Sequence, residues 1–449
     1  MLFRSTNRQA QAVSFRDALL KGQAPDKGLY WPQSLPSLQP SQIESWKGQS
    51  YAAIATDLLF PFVSEVLDRD TLQSICEDAY TFEIPLEPVV NRTFIMRLDQ
   101  GPTASFKDFA ARAMARMMSH FLKENEQQLI ILTATSGDTG SAIAQAFAGV
   151  AGIDVVILFP RDEVTRRQRK QMTTLGGNIT AIAIEGKFDD CQAMVKSAFS
   201  DASLTHLPLS SANSINIGRL LPQMGYYAYA FSQLSENLEP VSFVVPSGNF
   251  GNMMGACLLR KMGLPIKQVV IAVNENDEVP KFLASGDYEK IVPSRNCLSN
   301  AMNVGHPSNL SRLVELYGGQ MDHQGLITAM PDLETLRSDC FAVSITDEET
   351  RQTIQRVYDK YNVLLEPHGA VGFAGLEQYW DANPDSRNDL IVSIETAHPA
   401  KFPEAIEQLL KFDPEVPPSL STLEAKPESY ETLPNDYNTF VEWLKANQG

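Results

Sequence analysis

Two hydrophobic periods divide the chain. Up to about residue 90, apolar positions recur at helical spacing, as in IESWKGQSYAAIATDLLFPFV at 43–63, and Pro-rich joints such as PQSLPSLQP at 32–40 separate the segments. This predicts a mostly helical N-terminal module over 1–90. From about 90 to 400, short uninterrupted apolar runs alternate with helical stretches, the pattern of β-α-β units sharing a mostly parallel sheet. LIILTAT (129–135) predicts a buried strand, followed by the turn SGDTG (136–140) and a small-residue helix over 141–152. IDVVILFP (153–160) predicts the next strand, EVTRRQRKQMTTLGG (163–177) a helix closed by glycine, and NITAIAI (178–184) a third strand. A second set begins with VSFVVP (241–246), the turn SGNFGN (247–252), the helix MMGACLLRKMG and the strand IKQVVIAV (266–273). A late strand, LIVSIET (390–396), leads into AHPAKF; past 402 the chain is acidic and Pro-interrupted, with a short helix near NTFVEWLKAN. The fold class expected is α/β, with two open, mostly parallel twisted sheets. The helical module at 1–90 precedes a smaller α/β domain over 91–220 and a larger one, with a C-terminal tail, over 221–449.

Composition narrows the functional classes. At 449 residues, 43% apolar and 20% charged, the chain is too long for one growing core and too apolar for disorder. Its 54 acidic against 37 basic residues give a net charge of -17, a field that repels phosphate backbones and anionic lipid, so neither nucleic acid nor a membrane surface is an expected partner. An anionic small ligand would need local positive charge or converging backbone N–H groups. The five cysteines stand singly without metal-ligand spacing, so no metal site is expected. With no apolar leader or membrane-length run, the expected location is cytoplasmic.

Three loops can carry chemistry. In GPTASFKDFAARAMARMMSHF (101–121), Thr103 or Ser105 can cap a helix whose first turns hold Lys107. A lysine at a helix N-terminus opposes the helix dipole, so its ammonium is poorly supported and its pKa falls, as imine chemistry requires. The plain alternative is a solvated lysine paired with Asp108. SGDTG lies between a strand and a helix, where first-turn N–H groups and the hydroxyls of Ser136 and Thr139 can meet an anion; the alternative is a helix start capped by Asp138. SGNFGN places two glycines and Asn249 and Asn252 at a second such junction, a phosphate cradle or a tight turn. Neither loop fits the Walker pattern or a dinucleotide fingerprint.

Together, the SFKDFAARAMA lysine, the SGDTG turn and the later Gly-Asn loop resemble the fold type II pyridoxal-phosphate enzymes, whose fold is like that of the tryptophan synthase beta subunit. GPTASFKDF, TATSGDTGSA, PSGNFGN and ETAHPAKF, in that order, with FRDALLKGQAPDKGLYWP near the start, are similar to the threonine synthase family of the bacterial and fungal type. The likeness covers nearly the whole chain. It implies that Lys107 binds pyridoxal 5'-phosphate as a Schiff base and then moves protons at the substrate Cα and Cβ. Gly248, Asn249, Phe250, Gly251 and Asn252 match the loop that holds the cofactor phosphate through backbone amides. Thr396 matches the hydroxyl residue facing the pyridine nitrogen, a neutral partner that weakens the electron sink relative to an aspartate. Ser136, Gly137, Asp138, Thr139 and Gly140 match the turn that binds the substrate carboxylate.

The implied reaction turns O-phospho-L-homoserine and water into L-threonine and phosphate, with motion of the smaller domain closing the site. Arg219, Lys401 and Arg161 are candidates for the substrate phosphate, Arg219 first. Arg166, Arg167, Arg169 and Lys170 read as a solvated helix face, His398 as a packing residue, and Glu275 as a residue that could face the cofactor ring. Where the family carries Leu-Phe-His before Gly-Pro-Thr, this chain has Leu98, Asp99 and Gln100. Two other readings stay open: a serine or threonine dehydratase of the same fold type, and a non-catalytic homologue that binds phosphorylated metabolites. The oligomeric state expected is a monomer or homodimer.

Overall fold

The computed structural model describes residues 1–123 and 127–448. Its core is organised by two sheets. In the larger, the strands stand in the order Cys340–Ser344, Ile266–Val273, Val241–Pro246, Leu390–Glu395, Thr93–Arg97 and Leu86–Val90. All neighbours are parallel except the last pair, an antiparallel hairpin. In the smaller, Glu431–Pro434, Ile179–Glu185, Ile153–Pro160, Leu129–Ala134 and Leu209–Ser210 are parallel throughout.

The uninterrupted apolar runs follow from burial on both faces. On one face of the larger sheet, Val244, Val270 and Ile391 pack with Phe373 and Leu376 of helix Pro367–Ala382. On the other, Phe243, Val245 and Ile271 join the main core with Met254 and Leu258 of helix Gly251–Met262. The smaller sheet repeats the scheme: Leu132, Val156 and Ile182 meet Met194 and Val195 of helix Phe188–Ser200 and Phe440 and Leu444 of the C-terminal helix Tyr437–Gln448.

The strands do not sort at residue 220. Thr93–Arg97, expected in the smaller domain, pairs with Leu390–Glu395 in the larger sheet. Glu431–Pro434, expected in the larger domain, adds an edge to the smaller one, and Tyr437–Gln448 packs behind it. The chain therefore leaves the smaller sheet and returns to it at its end. In the N-terminal module, the single helical pattern at 43–63 becomes two helices, Pro40–Ser45 and Tyr51–Val63. The break at KGQS holds Gly48 at φ 76° and lets Ser50 cap the second helix at Ala53 N. A short antiparallel pair, Phe3–Ser5 with Tyr30–Pro32, is also present. The helix expected over 163–177 is trimmed to Arg166–Thr173 by a capping box of Thr165 and Gln168.

The C-terminal ends of parallel strands are where open α/β sheets bind ligands. Three of them carry the loops singled out in the sequence: SGDTG after Leu129–Ala134, SGNFGN after Val241–Pro246, and Thr396 after Leu390–Glu395.

Candidate functional site

Lys107 is placed by a backbone strap. The loop before it lies along the end of strand Leu390–Glu395: Leu98 N donates to Glu395 O (3.1 Å), Phe106 N to Thr396 O (2.8 Å) and His398 N to Ala104 O (3.0 Å). Ala104 takes a positive φ of 53° to make the turn. Helix Lys107–Lys123 starts immediately after and is anchored two residues on by Phe109, in ring contact with Tyr51, Tyr80, Phe82 and Tyr226. The strap thus brings Lys107 and Thr396 to one cavity.

That cavity is also lined by Ser136, Asp138 and Thr139 of the first turn, residues Gly248–Asn252 of the second, and Arg219. It shares Gln192, Asn213, Asn249 and His306 with a wider adjoining cleft of about 440 Å³. Burial lowers the Lys107 pKa to about 8, Asp138 opposes that shift, and Arg219 and Lys401 add to it. The depressed basicity expected from the helix terminus is therefore chiefly a desolvation effect. The pairing of Lys107 with Asp108 does not form: Asp108 is buried and accepts from Thr103 N (2.8 Å) and Thr103 Oγ1 (2.6 Å).

At both Gly-containing turns the residue that starts the helix supplies no side-chain cap of its own. At SGDTG, helix Asp138–Phe147 begins after Gly137, whose φ is 131°. Thr135 Oγ1 ties down the turn by accepting from Gly137 N (2.9 Å) and Gly140 N (2.8 Å). Gly137 and Gly140 do not line the cavity. They allow close packing, since a Cβ on Gly140 would lie 2.5 Å from Thr135 Cγ2 and one on Gly137 2.5 Å from the Gln168 side chain. The Asp138 side chain does not cap the helix; it accepts from Lys401 Nζ (2.7 Å) and Gln168 Nε2 (3.0 Å). Despite burial, Lys401 and Lys107 hold its carboxyl below the usual carboxylate range.

At SGNFGN, Phe250 is left-handed at φ 62° and helix Gly251–Met262 follows. The first-turn N–H groups of this 12-residue helix point out of its end. A Cβ on Gly248 would sit 2.7 Å from Met302 Cα, so only glycine fits there. The asparagine side chains hold the loop instead of facing a ligand. Asn249 donates to Ser214 Oγ (2.6 Å) and accepts from Ser308 N (2.6 Å); Asn252 donates to Pro246 O (2.8 Å) and accepts from Ser247 Oγ (2.9 Å).

Among the three cations offered for an anionic ligand, the structure separates one. Arg219 is 4% exposed, donates through Nη1 to Ala212 O (2.7 Å), and its buried Nε has no partner among the described residues. Burial lowers its pKa to about 10. A guanidinium buried without a carboxylate is costly unless an anion completes it. Lys401 is a correction: its ammonium lies behind the cavity wall, bound to Asp138 and to Thr103 O (2.9 Å). Arg161 is exposed and pairs with Glu185 (2.5 Å) beyond the site. Glu275 is also displaced, accepting from Asp347 N (3.4 Å) outside the cavity lining. His398 turns its Nδ1 to Ala400 N (3.2 Å) as a local cap.

The basic helix face is solvated at Arg166, which is 67% exposed and reaches Glu424 (3.5 Å), but not at its other three cations. Arg167 donates to Ala400 O (2.6 Å), Arg169 pairs with Glu428 (2.9 Å), and the buried Lys170 donates to the carbonyls of residues 423, 424 and 426. This face holds the acidic C-terminal stretch in place. Sequence reading also passed over groups around the cavity. Arg312 is fully buried, its pKa lowered by burial to about 9, and it pins the 214–215 backbone through Ser214 O (3.1 Å) and Ile215 O (2.7 Å). His368, on the cavity wall, and its partner Glu366 lie in EPHGA, a motif whose only signal is a carboxylate and a histidine two residues apart at a helix start.

The observed groups fit pyridoxal 5'-phosphate: an amine of reduced basicity for its aldehyde, a helix start behind a glycine-only turn for its phosphate, and a hydroxyl oxygen, that of Thr396, on the wall of the same cavity. Comparison with known proteins agrees. A pyridoxal-phosphate-dependent enzyme family matches residues 85–396, a threonine synthase N-terminal family residues 2–80, and a threonine synthase C-terminal family residues 369–443. The chain is 36% identical to the threonine synthase of Pseudomonas aeruginosa over 461 residues, 97% of this chain and 96% of that one. It is also 36% identical to that of Escherichia coli over 440 residues, 98% of each. The crystal structure of pyridoxal-phosphate-bound threonine synthase from Brucella melitensis superposes with a TM-score of 0.92 at 36% identity, covering 100% of this chain and 99% of that one.

Proposed function

The chain belongs to the threonine synthase family of fold type II pyridoxal-phosphate enzymes, and from that premise we propose which of its residues carry the reaction. It converts O-phospho-L-homoserine and water into L-threonine and phosphate, with pyridoxal 5'-phosphate as cofactor. When bound, the cofactor supplies the electron sink that lets protons leave Cα and Cβ of the substrate.

Lys107 is the attachment point and the base. With a pKa near 8 a substantial neutral fraction exists at physiological pH, so the amine can take a proton from Cα and later from Cβ. The backbone amides of Gly248, Asn249, Phe250, Gly251 and Asn252 hold the cofactor phosphate at the end of helix Gly251–Met262. Thr396 faces the ring nitrogen. The amides and hydroxyls of Ser136, Asp138 and Thr139 receive the substrate carboxylate, with Gly137 and Gly140 shaping the turn. Arg219 receives the substrate phosphate at Cγ and steadies it as it leaves. SGDTG belongs to the smaller sheet and SGNFGN to the larger, so closing the cleft between them excludes all but the reacting water. Crystals with and without substrate that superpose with no shift between the sheets would contradict that closure.

The observation carrying this reading is one cavity that joins a lysine of lowered pKa, two glycine turns at helix starts and a buried arginine with no ion-pair partner among the described residues. Purified protein given O-phospho-L-homoserine should release threonine and phosphate in equal amounts. Ammonia and a keto acid would indicate a dehydratase instead. All five cysteines are buried and unpaired, which suits a reducing cytoplasmic setting, and the enzyme acts there as a monomer or homodimer.

A further inference from the structure

The hydroxyl at the cavity wall is not an isolated neutral group. Thr396 Oγ1 lies 3.1 Å from Glu366 Oε1. Three more donors converge on the same buried carboxylate: His368 N (2.7 Å) and His368 Nδ1 (2.5 Å) on Oε2, and Gly369 N (3.0 Å) on Oε1. The histidine tautomer is set from its far side, because Ala301 N donates to Nε2 (3.0 Å), leaving the ring proton on Nδ1 for Glu366. Four donors on two oxygens are the pattern of an ionised, acceptor-only carboxylate.

The second carboxyl in this corner faces the Glu366 backbone, while Thr396 Oγ1 meets the Glu366 side chain. Glu395 is fully buried and accepts from Glu366 N (2.8 Å), while its Oε2 has no partner among the described residues. Burial first, then the charge of Glu366, raise its pKa well above the ordinary range, against the opposing charge of Arg97, whose Nη1 lies 3.9 Å from its Oε1. Glu395 can pack against residue 369 because that residue is glycine: a Cβ there would lie 1.6 Å from Glu395 Oε2.

A threonine hydroxyl has one proton, and Glu366 takes it. Towards the cavity Thr396 then presents only lone pairs. An unprotonated pyridine nitrogen opposite it would place lone pair against lone pair, whereas a protonated one would donate a hydrogen bond. We propose that Glu366 acts through Thr396 to hold the ring nitrogen of the cofactor in its protonated form. This rests on the reading that Thr396 faces that nitrogen. Glu366 is thereby a positioning residue that restores the electron sink a neutral hydroxyl would otherwise weaken.

The test is the ¹⁵N NMR shift of holoenzyme carrying pyridoxal phosphate labelled at the ring nitrogen, referenced to the free cofactor in acid and in alkali. Wild type should resonate at the pyridinium position. Glu366→Gln should move it towards the neutral position, because the new amide donates to Thr396 Oγ1 and turns the hydroxyl proton to the ring; Thr396→Val should move it too. A wild-type signal at the neutral position overturns the proposal without any variant. If Thr396→Val shifts the signal and Glu366→Gln does not, the role of Glu366 falls while the place of Thr396 stands. A signal unmoved by Thr396→Val sinks the placement of Thr396 itself, and Glu366→Asp, which keeps the charge but withdraws it from Thr396, serves if Glu366→Gln does not fold.

Discussion

Replacing Lys401 with methionine isolates the buried charge that sits near the Lys107 amine. Lys401 is fully buried, and its Nζ is 2.7 Å from Asp138 Oδ1, an atom also bonded to Gln168. Methionine keeps the apolar volume but leaves Asp138 as a buried carboxylate without its cation, a change that costs about 3–5 kcal/mol. Asp138 has a depressed pKa, so the pair contributes fully above the unfolded carboxylate value of 3.8 and is lost only as pH falls through the folded one. At pH 7 the whole penalty should show. With a urea m-value of about 3 kcal/mol/M, the unfolding midpoint of the apoprotein should drop by about 1–1.7 M. Asp138→Asn together with Lys401→Met should recover part of the loss, since the stranded charge is then gone. The same substitution removes a positive charge that lowers the Lys107 pKa, so the pH midpoint of imine formation should move up from about 8. A Lys401→Met loss under about 1 kcal/mol with an unmoved pH midpoint would refute both the pairing and its electrostatic reach.

Four further outcomes follow from the same geometry. The rate at which apoprotein captures pyridoxal phosphate as a borohydride-reducible imine should rise with pH to a plateau above about 8; a midpoint near 10.5, the ordinary lysine value, would contradict burial of the amine. By linkage the unfolded chain binds the extra proton between those values, so this group raises stability with increasing pH there, and Lys107→Met should flatten that slope in denaturant titrations. Thr135→Val strands the N–H groups of Gly137 and Gly140 and should cost about 1–3 kcal/mol for each left unpaired, with a raised KM for substrate; a loss under about 0.5 kcal/mol would mean the hydroxyl does not hold the turn. Gly369→Ala should destabilise by about 1–3 kcal/mol through overpacking against Glu395, and an unchanged unfolding midpoint would show that the carboxyl can move aside.

The strands at 153–160, 241–246 and 266–273 coincide with the apolar runs that predicted them, because strands covered on both faces need no polar positions. The edge strand Glu431–Pro434 lacks that signal: its residues are largely exposed and it is bounded by proline, so nothing apolar marks it. The loops of the site were legible because strand-turn-helix junctions with glycine are written in contiguous residues. Their partners were not. Lys401 and Asp138 meet through the packing of two sheets, and whether a lysine is free for a ligand or spent on an aspartate depends on contacts far apart in the chain. Asn249 and Asn252 show the same limit: the residue type fits ligand binding and loop fixing equally, and only the acceptors around them decide. Arg167, Arg169 and Lys170 looked solvated because the segment that covers them lies more than two hundred residues later.

The attachment of the cofactor is the point on which the rest depends. Holoenzyme reduced with borohydride and digested should yield one labelled peptide, containing SFKDF with the pyridoxyl group on Lys107. A label on any other lysine, or full turnover of O-phospho-L-homoserine by Lys107→Ala, would contradict the account.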